Sequence, residues 1–341
     1  MADQTNHDHK ESKVQHDKPT TNALDRFIIF PIEHQSIWDL YQRQKQAMWK
    51  PEEVDFAQDR LDFETFKPNE QKMIKHVYAL FAASDAIVND NIIAYFMHAT
   101  PFRESQLFYG LQMGMEVFHQ ETYANGIMET IRDRKEQREL FRAVLNMEGI
   151  QRMSKWFVDY VGDNQKSFAE RLVAAVITEG IFFQGAFVII FWIKETYPGK
   201  MPGLVMSNDF ISADEALHAD HSALQYRLLN PTEKLPQTQV HEVFASAMEM
   251  ERFFVDQFME EGVLGMSKKQ LVDHLEYMCD FWLVELGYAK RFHTKNPFNF
   301  MEKISLRGRT NFFERRNREY SAKANNNGIQ TTSFAEGSLD L

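Results

Sequence analysis

The chain is 341 residues long and 44% hydrophobic, with 49 acidic against 38 basic residues and a formal charge of −11. That apolar content is enough for a sizeable core, and the acidic balance excludes a nucleic-acid surface, which asks for a basic stripe. A single cysteine, Cys279, excludes an internal disulfide, a cysteine-held iron–sulfur cluster and a dithiol redox pair, and points to a reducing cytoplasm. Only 15 glycines and 10 prolines stand among many Ala, Leu, Glu, Gln, Lys and Met, the composition of an all-α chain.

In chain order, residues 1–24 are polar, rich in His, Asp, Lys and Thr, and read as a disordered tail. They hold no apolar run, so they form neither a signal nor a transit peptide. His7, His9 and His16 read as solvated tail residues. An extended piece over 26–31 leads into a helix over 36–48. Trp49-Lys50-Pro51 reads as a helix end and a new start, with proline in a first turn. A long helix runs from 68 to 99, stopped by Thr100-Pro101.

Further helices follow over 103–132, 135–147, 150–160, 168–196, 202–229, 236–261 and 268–290. The run 181–193 looks membrane-like but is only 13 residues long and is interrupted by Gln184 and Gly185, so it reads as a buried core helix with no membrane role. Residues 321–341 lack periodicity and read as a flexible tail. No glycine-rich phosphate loop is visible.

Two stretches carry the chemistry. In the helix over 103–132, Glu116, His119 and Tyr123 recur at i, i+3 and i+7 and share one face. Asp214-Glu215-Ala216-Leu217-His218 repeats the Glu-x-x-His spacing. With 12 histidines and 49 acids in 341 residues, chance supplies a pair or two, so the count decides nothing. The setting carries more weight. Asp85 sits in Phe81-Ala82-Ala83-Ser84-Asp85-Ala86-Ile87-Val88, and Glu179 in Val176-Ile177-Thr178-Glu179-Gly180-Ile181-Phe182-Phe183. Carboxylates are almost never buried unless paired or metal-bound. Two lone acids and two Glu-x-x-His pairs, one set per helix of four, match a ferritin-like di-metal carboxylate bundle, here with additional helices and with Asp in place of Glu at position 85. Four carboxylates and two divalent cations balance in charge. Four unrelated buried acids would be costly.

Longer motifs carry a resemblance. Met-Glu-Val-Phe-His-Gln-Glu-Thr-Tyr (115–123), Phe-Ala-Ala-Ser-Asp (81–85), Glu-Gly-Ile-Phe-Phe (179–183), Met-Pro-Gly-Leu (201–204), Ser-Asn-Asp-Phe-Ile-Ser-Ala-Asp-Glu (207–215) and Thr-Asn-Phe-Phe-Glu-Arg-Arg-Asn-Arg-Glu-Tyr (310–320) resemble the small, radical-generating subunit of class I ribonucleotide reductase, in its eukaryotic and viral type. The resemblance runs from Phe27 to Tyr320.

It implies one metal on Asp85, Glu116 and His119 and another on Glu179, Glu215 and His218, with Glu116 and Glu215 bridging. The metals would be two iron ions, with manganese equally suited to the donors. Tyr123 would be the stable-radical tyrosine, formed with O2. Trp49, Asp214 and Tyr320 would lie on a long-range electron route to a large subunit that reduces ribonucleotides to deoxyribonucleotides. The family further implies a homodimer, with residues 333–341 docking to the large subunit. Position 213 is Ala where the eukaryotic type has Arg, which bears on proton delivery.

The residues themselves agree with this assignment. Asp214, about 100° around the helix from Glu215, is better placed to accept from a ligand imidazole than to bind metal. Phe183, Phe187 and Ile211 are spaced to form a dry shell. One cysteine cannot supply the two thiols that ribose reduction needs, so the nucleotide chemistry belongs on another polypeptide. An oxygen-activating oxidase or desaturase and a storage bundle are the other readings of such a fold. Tyr123 argues against the first and the motif-bearing termini against the second.

Overall fold

The computed structural model describes residues 28–162, 165–259, 263 and 265–300, with Asp85 and Ala86 described in their backbone alone. The expected tails over 1–24 and 321–341, the motif at 310–320 and Tyr320 lie outside the described residues.

Twelve α-helices occupy the described residues: α1 (Gln35–Ala47), α2 (Asp59–Phe63), α3 (Pro68–Asn91), α4 (Arg103–Thr130), α5 (Arg134–Phe141), α6 (Ala143–Asn146), α7 (Glu148–Gly162), α8 (Phe168–Ile177), α9 (Gln184–Thr196), α10 (Pro202–Leu228), α11 (Gln237–Phe258) and α12 (Lys268–Glu285). A π-helical turn extends α3 (Ile92–Phe96), another joins α8 to α9 (Thr178–Phe182), and a 3₁₀ turn covers Pro51–Glu53. The described residues contain no strand, only an isolated bridge between Val263 and Met266.

Local chemistry fixes most helix ends. Pro68 and Pro202 open α3 and α10 at a first-turn position where the missing N–H costs nothing. Ser167 with Glu170 and Ser267 with Gln270 cap α8 and α12 reciprocally. α12 stops at Glu285, short of the expected 290, because Gly287 turns left-handed with φ 91°. Gly287 N–H then bonds Val284 O at 2.9 Å and Tyr288 N–H bonds Leu283 O at 2.8 Å, which closes the last carbonyls. α2, a stretch to which the sequence analysis assigns no element, exists to hold α10. Asp59 accepts from the N–H groups of Gly203 (2.8 Å) and Leu204 (2.7 Å), and Asp62 accepts from Met201 N–H (3.0 Å) and Lys200 Nζ (2.7 Å). Carboxylates at a helix start complement its unsatisfied donors.

The segment expected as one helix over 168–196 is interrupted at Glu179. The interruption has a packing cause. An added Cβ at Gly180 would lie 2.3 Å from Trp282 Nε1, and the same indole donates to Gly180 O at 3.0 Å. The wide turn therefore presses its backbone onto α12. Phe168–Thr196 spans 29 residues and is apolar and long enough to cross a bilayer, well beyond the 13-residue run read from sequence, yet 94% of its most apolar window is buried inside the protein. Its place is the core of the bundle. The lone Cys279 of α12 is also fully buried.

α3 and α4 run antiparallel. Asn89 Nδ2 donates to Met113 O at 3.4 Å and Gln106 Nε2 to Met97 O at 3.3 Å, which sets their register. α3 packs on α4, α10 packs on α4 and on the π turn after α8, and α1 packs across α4 and α10.

Candidate metal centre

α4 and α10 each turn a Glu-x-x-His pair inward, and Glu116, His119, Glu215 and His218 are all buried. The two pairs interlock. His119 Nδ1 lies 3.2 Å from Glu116 Oε2 and 2.9 Å from Glu215 Oε1. His218 Nδ1 lies 3.0 Å from Glu116 Oε1 and 2.7 Å from Glu215 Oε2. Each glutamate thus gives one oxygen to each imidazole, and the ring centroids stand 6.2 Å apart. Glu179 enters from the π turn, and Gln112 donates to both Glu179 (3.2 Å) and Glu116 (3.1 Å). Donor atoms of Glu116, Glu179, Glu215 and His218 all lie within 4.8 Å of one another. Asp85 occupies the facing helix α3, and its side chain is outside the described residues.

Electrostatics show what the cage demands. Burial alone would push the Glu116 carboxyl up, but His218 and His119 outweigh it and hold that carboxyl well below the usual range. Glu215, raised by burial and by Glu116, is brought down by the same two imidazoles. Burial would lower His218, yet Glu116 and Glu215 lift it to about 9. His119 rises well above its ordinary value, with Glu215 and Asp214 overcoming burial. The two carboxylates therefore favour protonated imidazoles between them while no cation is bound. Divalent cations on the same atoms would displace those protons.

The far nitrogens of the two histidines meet different partners. His119 Nε2 faces Asp214 Oδ2 at 3.1 Å, and Trp49 Nε1 donates to that same oxygen at 2.7 Å. The Trp49 ring, 1% exposed, lies nearly parallel to His119, 6.0 Å between centroids and 14° between planes. His218 Nε2 faces the amide of Gln44 at 3.1 Å, whose Oε1 has no other partner. An imidazole that gives Nδ1 to a cation carries its proton on Nε2, and Gln44 turned by 180° would accept it. One histidine thus leads to a charged relay, the other to a neutral amide.

Tyr123 lies on α4 one turn beyond His119 and is 1% exposed. Its ring stacks flat on Phe81, 4.3 Å between centroids and 3° between planes. Phe183 and Phe187 pack behind Phe81 at 5.7 and 5.2 Å, and Ile211 is fully buried. The phenol sits in a dry aromatic wall.

The sequence reading missed Gln44, Gln112 and Phe81 as site neighbours. Gln112 carried a usable signal, since it stands one turn before Glu116 on the same face. Gln44, in the polar sequence of α1, carried none.

Residues 26–297 match the family model described as ribonucleotide reductase, small chain. The chain belongs to the ribonucleotide reductase small-chain family. It is 40% identical over 309 residues to ribonucleoside-diphosphate reductase subunit M2 of Mesocricetus auratus, covering 91% of this chain and 78% of that one. It is 41% identical over 313 residues to the ribonucleoside-diphosphate reductase small chain of Trypanosoma brucei brucei, covering 91% of each. Among solved structures, the Rnr4 homodimer of Saccharomyces cerevisiae superposes with a TM-score of 0.73 at 29% identity, covering 86% of this chain and 89% of that one. The helical bundle is the ferritin-like fold of these small chains, and the relatives bear out the eukaryotic likeness of the motifs.

Proposed function

We propose that this small chain generates and stores the radical used by ribonucleoside-diphosphate reductase, with two metal ions held by Asp85, Glu116 and His119 on one side and Glu179, Glu215 and His218 on the other. The donor set fits such a centre. Buried carboxylates and imidazoles without a sulfur suit iron and manganese alike, and Glu116 and Glu215, each within reach of both histidines, would be placed to serve both ions. When bound, the ions and O2 supply the oxidising power that removes an electron and a proton from a nearby phenol.

The chain's own residues define the rest. Tyr123 is the phenol, shielded from water and reductants by Phe81, Phe183 and Phe187. Asp214 holds His119 through Nε2, which leaves Nδ1 for metal, and accepts from Trp49. The observation that carries the reading is this unbroken line from Trp49 through Asp214 to His119. It gives an electron a bonded path out of a buried cage. Tyr320 continues that route, and the C-terminal tail docks the chain to a large subunit that binds the nucleotide. The working assembly contains two copies of this chain.

Loading the metal-free chain with Fe(II) and admitting O2 tests the reading by electron paramagnetic resonance. A tyrosyl signal is expected, and Tyr123→Phe abolishes it while iron still binds. Iron oxidation without any radical in the wild-type chain would favour an oxidase instead.

A further inference from the structure

One buried acid takes no part in the cage. Glu251 of α11 is fully buried, and neither of its carboxylate oxygens meets a hydrogen-bond partner among the described residues. It lies against α9 and α12. A Cβ at Gly185, in the first turn of α9, would be 3.7 Å from Glu251 Oε2 and 3.9 Å from both methyls of Leu275. Leu275, Cys279 and Trp282 (i, i+4, i+7) follow one face of α12. Burial first, and then the Glu251 charge, push the Cys279 thiol well above its ordinary value. At the end of that face, the Trp282 indole holds Gly180 O, beside Glu179.

The charges around this seam are committed elsewhere. α9 brings no titratable group before Lys194. On α12, Glu276 is bonded to Arg252 of α11 at 2.6 Å, and Asp280 takes the N–H groups of Arg291, Phe292 and His293. On the other elements packed against α11, Arg152 of α7 lies over Phe253 and pairs with Glu148, Glu170 of α8 takes Gln239, and His76 of α3 tilts against Phe258. None of them is bonded to Glu251. A carboxyl buried without a partner stays neutral and must reach water to ionise. Burial accordingly pushes Glu251 well above its ordinary 4.5. We propose that Glu251 is a pH-sensitive latch: while it keeps its proton the seam between α9, α11 and α12 stays shut, and once it loses that proton to solvent the seam opens, exposing Cys279 and slackening the turn that carries Glu179. The closed seam keeps a proton that the open one releases. Closure is therefore firmest at low pH, weakens as pH rises above 4.5, and levels off past the raised folded value. The effect on the cage rests on Glu179 being a metal ligand, as proposed above, whereas the exposure of Cys279 does not.

The sole thiol reports the opening. The rate at which a pyridyl disulfide labels Cys279 is measured on the full chain, folded and urea-unfolded, from about pH 5 to 9. The ratio of the two rates is the protection, from which the ordinary ionisation of a thiol cancels. In the wild type this protection should fall by up to about tenfold per pH unit. In Glu251→Gln and Glu251→Met it should stay level. The cage histidines titrate alike in all three chains, so the variants isolate Glu251. Circular dichroism at neutral pH checks that each variant folds. Protection that holds in the wild type, or that falls in a folded variant as it does in the wild type, overturns the latch. Failure of both variants to fold overturns it as well, since the carboxyl would then be a structural need. The thiol readout requires no metal, so it stands or falls apart from the metal reading.

Discussion

Trp49 donates its indole N–H to Asp214 at 2.7 Å, through the same carboxylate oxygen that meets His119. One atom thus serves both a histidine of the cage and the aromatic that leads away from it. Removing either partner should have different effects. Asp214→Ala frees the His119 ring and should cost roughly 10- to 100-fold in metal affinity. Trp49→Phe keeps Asp214 on His119, so metal content should stay at the wild-type level. Nucleotide reduction with the large subunit should nevertheless fall by about 100-fold or more. Metal analysis beside a turnover assay separates the two, and equal metal loss in both variants would make Trp49 a packing residue.

The cage should bind cations in competition with protons. His218 is held up to about 9, so at neutral pH it must give up a proton before Nδ1 can take a metal. Apparent Fe(II) or Mn(II) affinity should therefore fall as pH drops from 9 toward 6. Adding metal to the stripped chain in weak buffer should acidify the solution. A metal concentration about 100 times the dissociation constant should stabilise the fold by about 3 kcal/mol. Thermal melts before and after chelation, with a pH electrode during loading, check both effects. Binding that ignores pH would remove the histidines from the donor set.

Gly180→Ala should be disproportionately damaging for so small a change. Its Cβ would fall 2.3 Å from Trp282 Nε1, and the indole cannot leave without breaking its bond to Gly180 O. Overpacking of this kind costs about 1–3 kcal/mol. Because Glu179 is the adjacent residue, metal content should drop as well. Urea unfolding and metal analysis of the variant test this. Full stability would mean that the wide turn yields freely.

Asp59 gives the stability a pH dependence of unusual sign. Burial raises its carboxyl to about 6, in spite of the Gly203 and Leu204 N–H groups that favour its charge. The folded state then keeps this proton in a range where the unfolded chain, near 3.8, has lost it. Its contribution is largest below about pH 4, declines as pH rises to about 6, and is level above that, a change on the order of 3 kcal/mol. Urea midpoints of wild type and Asp59→Asn across pH 4–7 should differ by a pH-dependent amount in that window alone. A constant difference would place Asp59 at an ordinary value.

Much of this arrangement was readable in the residues. The spacing of the Glu-x-x-His pairs puts both members of each on one helix face, and all four side chains are buried in α4 and α10. Prolines marked several helix ends. Other features had no local signal. The π turn at Glu179 follows from Trp282, about a hundred residues away, and an apolar run gives no hint of such a distant partner. α2 is five residues long, and its purpose lies at the start of α10. Gln44 joins His218 across 174 positions, a pairing that only the fold creates.

The chain's sole thiol, Cys279, lies sealed within α12. The radical chemistry proposed above would therefore meet no sulfhydryl of the chain's own at the surface. The same seclusion makes the molecule a clean starting point for spectroscopy. A cysteine introduced on α4 or near Trp49 would carry the only reactive label in the sample, so spin–spin distances between copies could be read without background.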